Sequence, residues 1–239
     1  MRASENILGI DVTALDYQGI IYEIDQVIKN NDKANVIAVN PEKFIAMEKN
    51  AELKELISKA TFKIPDGIGV ILASKLKGGQ IRSRVTGVDL FVEILKLADR
   101  NNYKVYLYGG KPEVVSRTKE VIERDYRGVQ VVGYSDGYQN DQESLIEEIN
   151  ESGAQIMFVA LGSPKQELWI KENMGRLNVN IYQGVGGSFD VLSGNVQRAP
   201  EVFRKTGTEW FYRLATQPSR FRRQMALPKF LFKVLFKSK

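Results

Sequence analysis

Short apolar runs recur along the chain, each closed by Gly, Pro, Asn or Asp, and between them apolar positions fall at helical spacing. Ile7 to Val12 reads as a first strand, and Ile20, Ile21, Ile24, Val27 and Ile28 mark a helix over about 16–30. Val36-Ile37-Ala38-Val39 is a second strand, its unbroken apolar run that of a strand buried on both faces. It stops at Asn40-Pro41, before two short helices over about 42–49 and 51–58. Residues 61–64 form the next strand; Pro65 cannot donate to a ladder, so the strand ends there. Asp66 falls where that strand hands over to a helix, about 67–77, and Thr86-Gly87-Val88-Asp89 opens another that runs to about 101. Strands over 103–108, 129–134, 156–161 and 180–183 alternate with helices over about 112–126 and 142–152 and one carrying Lys165-Gln166-Glu167. The alternation predicts an α/β fold: a Rossmann-like, mostly parallel sheet with helices on both faces. Ligands of such sheets bind at the carboxyl ends of the strands. Asn40, Asp66, Gly109-Gly110, Asp136-Gly137-Tyr138, Gly162 and the glycines from Gly184 to Gly187 are therefore expected along one edge.

Composition removes several chemistries. The 239 residues include no cysteine and no histidine. Disulfides, zinc–thiolate sites and thiol nucleophiles are excluded, and acid–base work falls to Asp, Glu, Lys or Tyr. Met1 leads into polar residues, and no apolar run is long enough to span a bilayer, so a cytoplasmic location is expected. Charge divides the chain. Eleven of its 34 basic residues but only two of its 29 acidic ones lie from Arg198 onward, so that part carries about +9 and the remainder about −4. The expected organisation is an α/β body, 1–197, and a basic appendage, 198–239, suited to a polyanion or an anionic membrane.

Several motifs carry candidate chemistry. Asp66, with Arg82 and Arg84 on the loop that follows its helix, offers an acid opposite fixed cations. That pairing suits a reaction with a proton to remove and a phosphate to hold; the plainer reading makes Asp66 a helix cap and leaves the arginines solvated. Gly109-Gly110-Lys111-Pro112 is either a tight turn or a source of backbone N–H groups for a phosphate. In Gly162-Ser163-Pro164-Lys165-Gln166-Glu167, Ser163 and Glu167 fit helix capping, while the Gln166 amide suits a nucleotide or sugar. Gly186-Gly187-Ser188-Phe189-Asp190 offers backbone approach, an aromatic face and a carboxylate for ribose hydroxyls; otherwise it is a strand-to-helix turn with a buried Phe. There is no DxD-type metal motif, no GxGxxG after the first strand and no Walker loop.

These motifs, with Asp66-Gly67-Ile68-Gly69-Val70 and Glu209-Trp210-Phe211-Tyr212-Arg213-Leu214, occur in an order that resembles the TagA/WecG/CpsF glycosyltransferase family from the first strand to about Arg223. The resemblance implies inverting transfer of an N-acetylmannosamine-type sugar from a UDP donor. In the TagA branch the acceptor is N-acetylglucosamine on undecaprenyl diphosphate, and the product begins the wall teichoic acid linkage unit. It implies that Asp66 is the general base, that Arg84 lies near the diphosphate, that Asn40 belongs to the pocket, and that Gln166 and Asp190 belong to the donor site. The family often carries Thr where Ala38 stands. Arg213, Arg220 and Arg223 match a basic appendage that closes over the site at the membrane. The donor site expected along the edge comprises Gly109, Gly110, Tyr138, Gly162, Gln166, Glu167, Gly186, Gly187 and Asp190. No cofactor and no metal are expected, since arginines can hold a leaving diphosphate. Expected partners are the UDP-sugar, the polyprenyl-diphosphate-linked acceptor and an anionic membrane at the inner face of the cell membrane; nucleic acid is not among them, and self-association is left open. Other readings are a related UDP-sugar transferase of exopolysaccharide or enterobacterial antigen synthesis, a nicotinamide oxidoreductase, or a non-catalytic nucleotide- or lipid-binding module.

The tail has its own pattern. Leu227-Pro228 reads as the end of a helix, after which Lys229, Lys233 and Lys237 repeat every four residues among Phe230, Leu231, Phe232, Val234, Leu235 and Phe236. On a helix the lysines make one stripe and apolar residues cover much of the rest. Such a segment suits lying in a membrane interface, loosely held in solution; the alternative is a helix docked on the protein's own core.

Overall fold

The first apolar run does not make one strand. It folds back as an antiparallel hairpin, β1 (Ser4–Ile7) and β2 (Ile10–Thr13), because Leu8 at φ 49° and Gly9 at φ 84° turn the chain between them. This corrects the single strand expected from Ile7 to Val12. The computed structural model describes residues 3–205, 208, 209, 211, 212 and 225–236.

Beyond the hairpin, strand and helix alternate as expected. Helix α1 (Tyr17–Lys29) is capped by Asp16, whose carboxylate accepts from Gly19 N–H at 2.9 Å. Then come β3 (Ala34–Val39), α2 (Pro41–Met47), α3 (Ala51–Lys59), β4 (Phe62–Pro65), α4 (Ile68–Leu76) and α5 (Gly87–Asn101). The second half runs β5 (Lys104–Gly109), α6 (Pro112–Asp125), β6 (Gln130–Ser135), α7 (Gln142–Ser152), β7 (Ile156–Ala160), α8 (Lys165–Asn173), β8 (Ile181–Gly184), α9 (Ser188–Leu192) and α10 (Glu201–Lys205). The last described helix is α11 (Ala226–Phe236).

Strands β3 to β8 form one parallel sheet in the order β4-β3-β8-β7-β5-β6. One face is covered by α1, α5, α6 and α9, whose Ile20, Ile24, Phe91, Ile94, Val115 and Phe189 make a single core with the strands. On the other face α2, α3, α4 and the hairpin pack around Phe44, Leu56 and Val70, and α7 and α8 around Ile149 and Trp169. The helices after β5 and β7 therefore leave to opposite faces, as do those after β8 and β3. Adjacent strands whose connections diverge leave a crevice at their carboxyl ends, the switch-point geometry of open parallel sheets.

Helix α11 docks on the second face. Phe230 and Val234 are buried, and the Phe230 ring lies 4.9 Å from that of Phe44 on α2. Pro228 stands in the first turn of α11 and does not end a preceding helix, because its missing N–H is unneeded there. Lys233 pairs with Glu48, Lys229 is exposed, and Phe232, Leu235 and Phe236 face outward. The docked face follows from burying Phe230 and Val234 at helical spacing. Arg213, Arg220, Arg223 and Lys237 lie outside the described residues.

Candidate active site

Two backbone hydrogen bonds assemble the acidic end of the edge. Asp66 N–H donates to the Val39 carbonyl at 2.9 Å, and Val85 N–H donates to the Pro65 carbonyl at 3.1 Å. They hold the β3 end with Asn40, the β4 end with Asp66 and the loop with Arg84 against one another. Asn40 caps α2, its side-chain oxygen accepting from Lys43 N–H at 2.9 Å. Asp66 is not the N-cap of α4: that position is Gly67, at φ 93° and without a side-chain bond. That backbone angle suits glycine, and it sets the half-buried Asp66 carboxylate at the helix approach without making it part of the helix.

Two arginines at this end of the edge, Arg84 and Arg198, are engaged. Arg84 Nη2 donates to Glu209 Oε2 at 2.8 Å, with both side chains largely buried. Arg198 grips Asp89 with both terminal nitrogens, at 2.6 and 2.8 Å, and its Nε lies 3.7 Å from Glu209 Oε1. Asp89 also accepts from the Thr86 hydroxyl at 2.7 Å. Burial works against ionisation of Asp89, but the Arg198 fork and the Thr86 hydroxyl outweigh it and hold its carboxyl below the usual aspartate range. Tyr17 completes the group: its hydroxyl accepts from Thr86 N–H at 2.9 Å. Burial, and after it the charges of Asp89 and Asp66, push the Tyr17 phenol up, while the Thr86 bonds pull it down. Arg82 is exposed, the solvated position of the plainer reading.

Tyr17 and Arg198 were not among the expected site residues. The Tyr17 hydroxyl gives no sign in the apolar spacing of α1, and Arg198 meets Asp89 across a sequence gap that no local pattern spans. Lys43 was missed too. Its ammonium pairs with Glu167 Oε1 at 2.6 Å, and Glu167 is 2% exposed. Glu167 thus serves a buried ion pair, and its Oε2 has no partner among the described residues. The N-cap of α8 is Pro164 without a side-chain bond, so Ser163 does not cap that helix as expected.

The expected donor residues follow along the same edge. Gln166 is buried and braces the turn after β8: its Oε1 accepts from Gly186 N–H at 3.0 Å. Gly109 presses on β7, where an added Cβ would stand 2.6 Å from the Ala160 carbonyl carbon. Gly110 N–H donates to the Ala160 carbonyl at 3.0 Å and its own carbonyl accepts from Gly137 N–H at 2.9 Å, so that N–H is committed to the turn. Gly162, at φ 76°, begins the turn into α8, and Gly187 is the N-cap of α9. Phe189 is fully buried among the core rings, so of the two readings of this motif the strand-to-helix turn with a buried Phe holds. The Asp190 carboxylate, half-exposed beside Gly187, meets no donor among the described residues. Tyr138 is exposed beyond β6, at the far end of the edge. Five strand spacings of about 4.8 Å put roughly 24 Å between the Asp66 end and the Tyr138 end.

Asn40, Asp66 and Arg84 are thus brought together at one end, Gln166, Gly186, Gly187 and Asp190 lie in the middle, and Tyr138 stands apart. Among the described residues no cluster of three acidic side chains is placed to hold a metal ion. Nor is any helix there long and apolar enough to cross a membrane.

The sheet and its edge define a parallel α/β protein that carries a carboxylate, Asp66, and the guanidinium of Arg84 on neighbouring segments at its strand ends. The model of the glycosyl transferase WecG/TagA/CpsF family matches residues 5–239. A Bacillus spizizenii protein named N-acetylglucosaminyldiphosphoundecaprenol N-acetyl-beta-D-mannosaminyltransferase is 41% identical over 208 residues, covering 87% of this chain and 81% of its own. The chain belongs to the WecG/TagA/CpsF family and is a glycosyltransferase.

Proposed function

We propose that this enzyme transfers N-acetylmannosamine from UDP-N-acetylmannosamine to N-acetylglucosamine on undecaprenyl diphosphate, with inversion, to give the wall teichoic acid linkage disaccharide. The observation that carries the mechanism is the Asp66 carboxylate, set at a strand end by Gly67 and held beside the Arg84 loop. An acceptor hydroxyl attacks the anomeric carbon of the donor. Asp66 takes the hydroxyl proton as the new glycosidic bond forms, and the bond from that carbon to the UDP oxygen breaks with its electron pair leaving on UDP. General-base assistance of this kind is worth about 10²–10⁴-fold. Arg84 supports the departing diphosphate without a metal ion, Asp190 holds the donor, and Gln166 braces the Gly186 turn beside it. The relative's printed name supports the choice of sugar and acceptor. A lipid-linked acceptor supports a position on the inner face of the cell membrane, with the outward Phe232, Leu235 and Phe236 of α11 toward it.

The test is incubation with a panel of UDP-sugars and a short-chain polyprenyl-diphosphate acceptor, the product being read by mass. A disaccharide product that requires UDP-N-acetylmannosamine and persists in chelator is expected. Preference for another UDP-sugar would reassign the donor, and a strict metal requirement would remove the role given to Arg84.

A further inference from the structure

A second cleft lies away from the strand edge. It encloses about 870 Å³ between the turn of the β1–β2 hairpin, the carboxyl ends of α2 and α4, and the start of α3. Its apolar lining is Leu8, Ile10, Phe44 and Met47, and its polar lining includes Lys49, Lys54 and Lys77. All three lysines are exposed, and none has an ion pair or side-chain hydrogen bond among the described residues. The acid on this rim, Glu48, is engaged by Lys233 of α11. That ion pair ties the cleft directly to the helix whose Phe232, Leu235 and Phe236 face outward. An apolar hollow rimmed by three unpaired ammonium groups is complementary to an anionic amphiphile, and its volume is in the range of ligand sites.

We propose that this cleft seats the headgroup and glycerol region of an anionic membrane phospholipid. The phosphate lies among Lys49, Lys54 and Lys77, and the first carbons of an acyl chain lie on Leu8 and Met47. The site is separate from the transfer chemistry. It rests on the membrane reading given above, and it turns a general attraction into a fixed orientation: α11 supplies apolar contact on one side of Glu48 and the lipid anchors the other.

The chain has no cysteine, so a single introduced thiol reports one position. A polarity-sensitive fluorophore on Leu8→Cys, with Tyr22→Cys on the far surface of α1 as control, is titrated with vesicles of phosphatidylcholine alone and with added phosphatidylglycerol. The same vesicles are used to sediment the unlabelled chain, a triple Lys49→Gln, Lys54→Gln, Lys77→Gln variant, and a charge-matched triple Lys29→Gln, Lys96→Gln, Lys119→Gln variant. Turnover with a water-soluble acceptor analogue is followed for each. The expected result is a blue shift at position 8 only, seen only with phosphatidylglycerol. Affinity for those vesicles should fall at least about tenfold in the first triple and much less in the second, with soluble turnover unchanged in both. If the unlabelled chain binds the vesicles while position 8 stays silent, or if the two triples bind alike, the cleft takes no lipid and the membrane reading stands on α11. If the unlabelled chain binds no vesicle, both readings fall, while the soluble turnover still judges the transfer reaction.

Discussion

Arg84 Nη2 donates to Glu209 Oε2 at 2.8 Å, so the cation assigned to the leaving diphosphate is held by a carboxylate from the C-terminal part of the chain. A phosphate that reaches Arg84 competes with Glu209. Glu209→Gln should therefore raise UDP affinity by about threefold to tenfold, as expected from weakening a partly buried, charge-assisted bond. Titration calorimetry checks this, and the gain should vanish in an Arg84→Ala background. An unchanged affinity in Glu209→Gln would mean that the phosphate does not use Arg84.

Asp66→Asn should bind UDP as the parent does and turn over at least about a hundredfold more slowly, because a base used in the transition state is lost without a change in shape. Single-turnover rates at saturating donor and acceptor, beside UDP titration, make the comparison. Near-parental turnover would leave Asp66 with a positioning role only.

Lys43 and Glu167 form a buried pair, 13% and 2% exposed, against which Gln166 is set. Removing one partner strands the other charge. Lys43→Met should cost about 3–5 kcal/mol of stability in urea unfolding. The double variant Lys43→Met, Glu167→Gln should recover most of it, since the stranded carboxylate is gone. Donor KM should rise in the single variant as the brace on Gly186 loosens.

Asp89 gives a pH signature. Its folded-state pKa lies below the ordinary 3.8, so its contribution is complete above that value and is lost as pH falls through the lower folded one. The melting temperature of the parent should therefore fall more steeply with acid below pH 3.8 than that of Asp89→Asn, which has lost the titrating group. Parallel acid limbs would show that the Arg198–Asp89 fork does not contribute to folding stability.

The parallel sheet was legible because β3, β5 and β7 are buried on both faces and read as continuous apolar runs. The hairpin was not, because the same continuity from Ile7 to Val12 hid a turn that only the positive φ of Leu8 and Gly9 reveals. Pro228 was ambiguous in one dimension, since proline both follows helices and begins them. At the site, strand-end residues such as Asn40 and Asp66 were visible as punctuation. Partners supplied from distant elements, Tyr17, Lys43 and Arg198, depend on how layers meet and leave no local trace. Phe189 and Gln166 show the same limit from the other side: their chemistry suits a ligand, but the core and the β8 turn take them first.

Phe230 of the last described helix and Ile7 of the first hairpin share one hydrophobic cluster. During synthesis that cluster cannot close until α11 has left the ribosome. Phe44, Ile10 and Val70 must then wait with one side uncovered while the rest of the sheet can already form. Domains otherwise fold from the N-terminal side as the chain emerges. Here the layer that begins first is completed last, and the nascent chain carries an open apolar groove on α2 throughout the interval.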